Sequence, residues 1–91
     1  MEKSFLKDHF EASKESYFEE WKEFLRFQSI STDPAYADDC RECAAWFQGK
    51  LEALGFEVQL IETSQRPVIF AERKGPEGSP VIALYGHYDV Q

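Results

Sequence analysis

The sequence has few basic residues and no long apolar run. Its 91 residues carry 10 Lys and Arg against 17 Asp and Glu, a formal net charge of −7. Phosphate binding needs clustered Lys and Arg, so the composition excludes nucleic acid as a partner. No apolar run approaches the roughly 20 residues of a membrane-spanning helix. Residues 1–8 also lack the apolar segment of a secretory signal. These absences predict a cytoplasmic protein with no membrane partner.

Cysteine is also scarce, with only Cys40 and Cys43 in a C-x-x-C spacing. This spacing fits a redox pair, half of a zinc knuckle, or two reduced side chains on the buried face of a helix. A structural zinc site needs four ligands, and the sequence has no second C-x-x-C or H-x-x-x-H to complete one. A redox pair normally begins a helix after a strand, whereas these cysteines fall inside a helical stretch. We therefore favour the interpretation that both cysteines are reduced side chains on the buried face of a helix. A reversible disulfide between them would instead indicate a redox protein.

Length and composition allow one small packed domain. A chain this short buries only roughly two-thirds of its unfolded surface, which leaves little room for a deep enclosed site. Its 43% hydrophobic and 15% aromatic content is nevertheless too high for a disordered acidic tail. We therefore expect a core.

The first third of the chain has the spacing of an amphipathic helix. Apolar residues recur three and four positions apart, and charged residues fill most of the positions between them. This pattern predicts a helix over about residues 4–28, continuous from Ser4 or interrupted near Ser13. We expect its apolar stripe to pack on a core rather than to bind a partner. The stripe comprises Tyr17, Phe18, Trp21, Phe24, Leu25 and Phe27.

A second helix is predicted over about residues 35–54. Asp33 followed by Pro34 suits a helix start, since aspartate caps the first N–H groups and proline fits the first turn. Gly55 suits the end, because glycine adopts the left-handed conformation of a C-terminal cap at little cost. The predicted buried face consists of Cys40, Cys43 or Ala44, Phe47, Leu51 and Leu54.

Three strands are predicted after the helices, over about residues 56–62, 67–72 and 81–86. Residues 56–62 alternate apolar and polar side chains, which is typical of a strand with one face in water. Residues 81–85 are all apolar, which favours a strand buried on both faces. Two helices followed by three strands predict a mixed α/β fold. A central strand needs neighbours, so either another copy of the chain completes the sheet or the residues are the front of a larger fold.

The residues best suited to chemistry follow the last predicted strand. His87 and Asp89 are two positions apart, so their side chains leave an extended chain on the same side. A neutral imidazole is a common metal ligand, and a neighbouring carboxylate fixes the orientation of its ring. The same pair could also form a local hydrogen bond with no metal. The H-x-D spacing alone leaves both interpretations open.

The segment Leu84–Gln91 resembles the first metal-site motif of the M20 family of zinc peptidases, in particular its dipeptidase branch related to carnosinase. The resemblance covers roughly residues 15–91. Residues 24–31 are similar to the family's first helix and the Ser-Ile-Ser segment after it. Residues 33–36, 46–47 and 54–58 are similar to its second helix and first strand, and residues 67–72 resemble the next strand.

The resemblance implies a role for each residue of the motif. His87 is expected to bind one zinc ion, and Asp89 is the catalytic-site carboxylate expected to hold the His87 imidazole. Family members hold two zinc ions bridged by an aspartate and a water, with a glutamate as general base. They hydrolyse dipeptides or short peptides, so a peptide substrate is implied. His9, the only other histidine, matches no ligand position.

The remaining family ligands have no counterpart in these residues. We therefore expect residues 1–91 to be the amino-terminal fragment of a catalytic domain, with an incomplete mixed sheet and no activity alone. The alternative is a non-enzymatic module derived from the same fold. Such a module would self-associate through unpaired sheet edges or complement a separately encoded remainder.

Overall fold

A computed structural model describes residues 3–91. Helix α1 (Lys3–Leu25) is followed by a 3₁₀ turn (Pro34–Tyr36), helix α2 (Ala37–Ala53) and strands β1 (Glu57–Ile61) and β2 (Val68–Glu72). The strands form a two-stranded antiparallel sheet. This order confirms the mixed α/β class, both helices and the first two strands, although α1 stops three residues earlier than predicted.

Local interactions explain the turn that leads into α2 and the end of α2. The Asp33 side chain accepts a hydrogen bond from Ala35 N at 2.9 Å, and Pro34 occupies the first turn of the 3₁₀ segment that leads into α2. At the other end, Gly55 has a φ of +90°, and its N–H donates to Glu52 O at 2.9 Å. A left-handed residue at this position satisfies carbonyls left free by the last helical turn. The Gly55 signal therefore acts as expected, whereas Asp33 caps the 3₁₀ turn, and α2 itself begins after Tyr36 with no side-chain cap.

The core is small and lies on α2. Cys40, Cys43 and Ala44 are fully buried, as the spacing predicts, and both cysteines are free thiols. Leu54, also predicted on the buried face, is instead 62% exposed, because it follows the last residue of α2. The β1–β2 hairpin packs against this helix. Arg41 on α2 strengthens the contact, donating to both carboxylate oxygens of Glu62 at 2.9 and 2.7 Å. The hairpin and α2 therefore form the packed part of the fold.

Helix α1 is attached to the fold by its carboxyl-terminal end. Phe24 stacks on Trp46 with ring centroids 5.9 Å apart, and Trp46 Nε1 donates to Glu23 Oε2 at 3.0 Å. Tyr17, Phe18, Trp21 and Leu25 are 38 to 58% exposed, and no residue of α1 is buried. The radius of gyration, 15.6 Å, exceeds the value of about 12 Å for a compact chain of this length. Only one end of the stripe therefore packs as expected.

None of the helices in the described part of the chain is both long and apolar enough to cross a membrane.

The predicted third strand does not form. Residues 81–86 have no regular structure, and Val81, Leu84 and Tyr85 are 95, 93 and 97% exposed. A strand exists only when another strand accepts and donates its backbone hydrogen bonds. Neither β1 nor β2 pairs with this segment, so its apolar residues stay in solvent. The expectation of a buried strand at 81–86 is wrong for this structure.

We predict that Trp46→Ala loosens α1 and lowers the free energy of unfolding by about 2 kcal/mol, because a half-buried aromatic contact is removed. Urea denaturation followed by circular dichroism measures this loss. Trp21→Ala is the matched control, since Trp21 is 58% exposed, and it should cost less than about 0.5 kcal/mol. Equal losses in the two variants would contradict this account of how α1 is held.

Candidate functional site

The segment that carries His87 and Asp89 is attached to the connection between α1 and α2. Val90 N donates to Ser29 O at 2.8 Å, and Ser31 N donates to Val90 O at 3.2 Å. These bonds form an isolated parallel bridge between Ile30 and Val90. They give the motif a fixed backbone position although the residues before it have no regular structure.

Tyr88 fixes the segment on the side facing the core. Its hydroxyl donates to Pro67 O at 2.6 Å, and its carbonyl accepts from Ser29 Oγ at 2.9 Å. Burial raises the pKa of the Tyr88 phenol, so the hydroxyl keeps the proton that it donates. Side chains alternate along an extended chain, so anchoring Tyr88 inward leaves His87 and Asp89 on the other side.

Cys43 lies beneath this anchor. Its Sγ is 3.8 Å from Tyr88 O, within the range of a weak S–H hydrogen bond. Burial raises the pKa of the Cys43 thiol, and a hydrogen bond with the Ser29 side chain partly opposes that shift. A redox-active cysteine needs a lowered pKa and an accessible sulfur. Cys43 has neither property, so its environment is that of a packing residue.

His87 and Asp89 are in direct contact. His87 Nδ1 lies 2.9 Å from Asp89 Oδ1 and 3.0 Å from the Asp89 carbonyl oxygen. Both neighbours are acceptors, so the tautomer that suits them carries its proton on Nδ1 and leaves Nε2 with a free lone pair. The His87 side chain is 74% exposed and that of Asp89 32%. The free nitrogen therefore belongs to an accessible imidazole.

Ser31 completes this arrangement from the other side of the carboxylate. Its hydroxyl donates to Asp89 Oδ2. This hydrogen bond is the main reason why the pKa of Asp89 is lowered, and the His87 ring adds to the effect while burial opposes it. Asp89 is therefore held as an ionised carboxylate with a donor on each oxygen.

No local pattern in the sequence assigns a role to Ser29 or Ser31. Both fall in a stretch rich in turn and cap residues, and 58 residues separate Ser31 from Asp89. Spacing rules describe neighbours along a helix or strand, so they cannot report a contact of this length. The Ser-Ile-Ser similarity to the M20 family marked the position but implied no contact with Asp89.

The described residues do not form a complete metal site. No group of three or more His, Cys, Asp and Glu side chains suitable for a metal ion occurs in residues 3–91. His9 lies on α1 beside Tyr17, with ring centroids 6.3 Å apart, and it is not brought to His87. Catalytic zinc normally takes three protein ligands. The chemistry of His87 and Asp89 fits one imidazole ligand and the carboxylate that orients it.

We predict that Tyr88→Phe lowers the free energy of unfolding by about 1 kcal/mol, because Pro67 O loses its donor while the ring still packs. Urea denaturation provides the measurement. Tyr85→Phe is the matched control: Tyr85 is 97% exposed, so its hydroxyl should contribute nothing measurable. A Tyr88→Phe variant as stable as the control would show that this hydrogen bond does not hold the segment.

Comparison with known proteins gives one informative similarity. No protein-family model matches the chain, and no solved structure does. The chain is 37% identical over 79 residues to the cysteinylglycine-S-conjugate dipeptidase of Corynebacterium striatum. The matched stretch is 86% of this chain and 17% of that dipeptidase, so the chain spans about one-sixth of its length. The similarity supports a relationship to one part of a peptidase.

Proposed function

We propose that this chain carries the first metal-ligand motif of an M20-type zinc dipeptidase. The observation that carries the proposal is the contact between His87 Nδ1 and Asp89 Oδ1, which leaves Nε2 free on an exposed ring. The similarity to a dipeptidase supports the same assignment. The proposed reaction is hydrolysis of dipeptides or short peptides.

Each residue of the motif has a separate proposed role. His87 Nε2 would bind one zinc ion. Asp89 accepts the Nδ1 hydrogen bond, which fixes the ring and raises the basicity of the nitrogen that faces the metal. When bound, a pair of zinc ions lowers the pKa of a water and polarises the scissile carbonyl. The chain's own contribution is thus one correctly oriented ligand.

The remaining ligands are proposed to come from polypeptide outside these 91 residues. At the proposed site residues 3–91 supply one imidazole, that of His87, where catalytic zinc normally takes three protein ligands. We therefore propose that the 91-residue chain hydrolyses no dipeptide by itself, even with zinc added. Because the relative acts on cysteinylglycine S-conjugates by name, this class is the first substrate to test.

We predict that a chimera in which this chain replaces the corresponding segment of the Corynebacterium striatum dipeptidase hydrolyses a cysteinylglycine S-conjugate with zinc. Asp89→Asn in the chimera should lower kcat/KM by about 10- to 100-fold, as expected for the partner of a ligating histidine. His87→Ala should lower it further, because a ligand is lost. Product release followed by chromatography measures both effects.

His9→Ala in the same chimera is the matched control and should leave kcat/KM unchanged. A folded chimera whose activity is insensitive to His87→Ala would contradict the metal-ligand assignment. Turnover by the 91-residue chain alone, lost in His87→Ala, would instead contradict the proposal that further ligands are needed.

A second candidate function is a non-enzymatic module that self-associates. The observation that favours it is the nearly complete exposure of the apolar segment 81–85. The two-stranded sheet also keeps an unpaired edge on each strand. An extended apolar segment can pair with a free sheet edge by backbone hydrogen bonding. Segment 81–85 of one copy could therefore extend the sheet of a second copy.

We predict for this candidate a mass of at least twice 10.6 kDa by light scattering. The double variant Val81→Lys with Leu84→Lys should restore a monomer, because charge on an exposed strand opposes edge pairing. Leu6→Lys on α1 is the matched control and should leave the mass unchanged. A monomeric parent chain would rule out this function.

A further inference from the structure

We propose that Ser31 is a positioning residue whose hydroxyl fixes the Asp89 carboxylate and, through it, the direction and tautomer of the His87 ring. This inference rests on the proposed function only in taking the oriented His87 ring to be a metal ligand. The orientation itself is a property of the described residues.

Backbone geometry brings Ser31 to Asp89. The hydrogen bonds from Val90 N to Ser29 O and from Ser31 N to Val90 O set the two segments side by side. This register places the Ser31 hydroxyl against Asp89 Oδ2. The contact is therefore a consequence of the bridge, and it is made by a side chain that the bridge itself does not need.

The carboxylate requires this second contact to hold a single orientation. Rotation about the last side-chain bond of aspartate has broad, roughly two-fold preferences. Ser31 occupies Oδ2, which leaves Oδ1 facing His87 Nδ1 at 2.9 Å. A carboxylate held at one oxygen presents the other in a fixed direction, and it accepts only the ring tautomer with a proton on Nδ1.

Little else in the described residues holds the His87 ring. Its side chain is 74% exposed, and its recorded hydrogen bonds all go to Asp89, one to Oδ1 and one to the carbonyl oxygen. Packing therefore contributes little to the ring's direction. Ser29, the neighbouring hydroxyl, donates to Tyr88 O instead. The Ser29 hydroxyl thus binds the backbone of the segment, whereas the Ser31 hydroxyl binds the Asp89 carboxylate.

The alternative is that Ser31 only anchors the segment to the chain. The two roles differ in what the loss of the hydroxyl should disturb. If Ser31 is only an anchor, removing its hydroxyl should open the backbone bridge. The Val90 amide would then lose its protection from hydrogen exchange. A positioning residue would change the His87 tautomer while the Val90 amide stays protected.

The test is nitrogen-15 NMR of the 91-residue chain at a pH where the imidazoles are neutral. The parent chain should show His87 protonated on Nδ1, whereas His9, for which residues 3–91 show no carboxylate partner, should show the usual mixture of tautomers. Ser31→Ala should lower the Nδ1–H to Nε2–H ratio of His87 on the order of tenfold, the effect of one charge-assisted hydrogen bond. Ser31→Thr, which keeps a hydroxyl, should restore the ratio.

The outcomes separate the possibilities. A changed tautomer with a protected Val90 amide supports positioning. An unchanged His87 tautomer in Ser31→Ala overturns the positioning role. A changed tautomer accompanied by loss of Val90 amide protection overturns it as well. If Ser31→Ala does not fold, the tautomer ratio of the unsubstituted chain is still a test. A His87 imidazole with the same mixture of tautomers as His9 would overturn the proposal. None of these readouts uses zinc or activity, so an inactive chimera would count against the proposed function alone.

Discussion

The hydrogen bonds between residues 29–31 and 88–90 are the constraint on which the rest of the candidate site depends. They join two segments that lie about 58 residues apart in sequence. The preceding residues 81–86 have no regular structure, so nothing in them directs the motif. Closing so long a loop costs conformational entropy, and several hydrogen bonds to partly buried groups together offset that cost. With the bridge in place, Tyr88 faces the core, and the positions on either side of it face solvent.

The side chains beneath this bridge belong to the small core and are themselves small. Cys40, Cys43 and Ala44 let the α1–α2 connection and the Tyr88 backbone approach α2 closely. A larger side chain at Cys43 would occupy the space where Ser29 Oγ meets Tyr88 O. The raised pKa of the Cys43 thiol belongs to the same feature, since burial both packs the sulfur and keeps it protonated. The C-x-x-C spacing thus matches the buried face of a helix.

Local signals in the sequence predicted what depends on near neighbours. Helical periodicity identified Cys40, Cys43 and Ala44 on the buried face of α2, Gly55 marked the end of that helix, and alternation identified β1. The strand at 81–86 was wrong because an apolar run shows only that burial is favourable, whereas a strand also needs a hydrogen-bonded partner. The candidate site divides in the same way. His87 and Asp89 are two positions apart and could be paired by spacing, but the Ser31 contact depends on a register that no local pattern encodes.

Orientation and ligand number are separable properties of a metal site, and the described residues bear on the first. A histidine that points in one direction in one tautomer loses less conformational freedom when it binds than a freely rotating ring does. Under the proposed function, the hydrogen bonds from Ser31 to Asp89 and between Asp89 and His87 would provide this preorganisation on an exposed ring, where packing does not. It does so with short polar side chains held by backbone hydrogen bonds, so it needs no large core. The described residues have a small buried core, and under this proposal they can still set the direction of one imidazole.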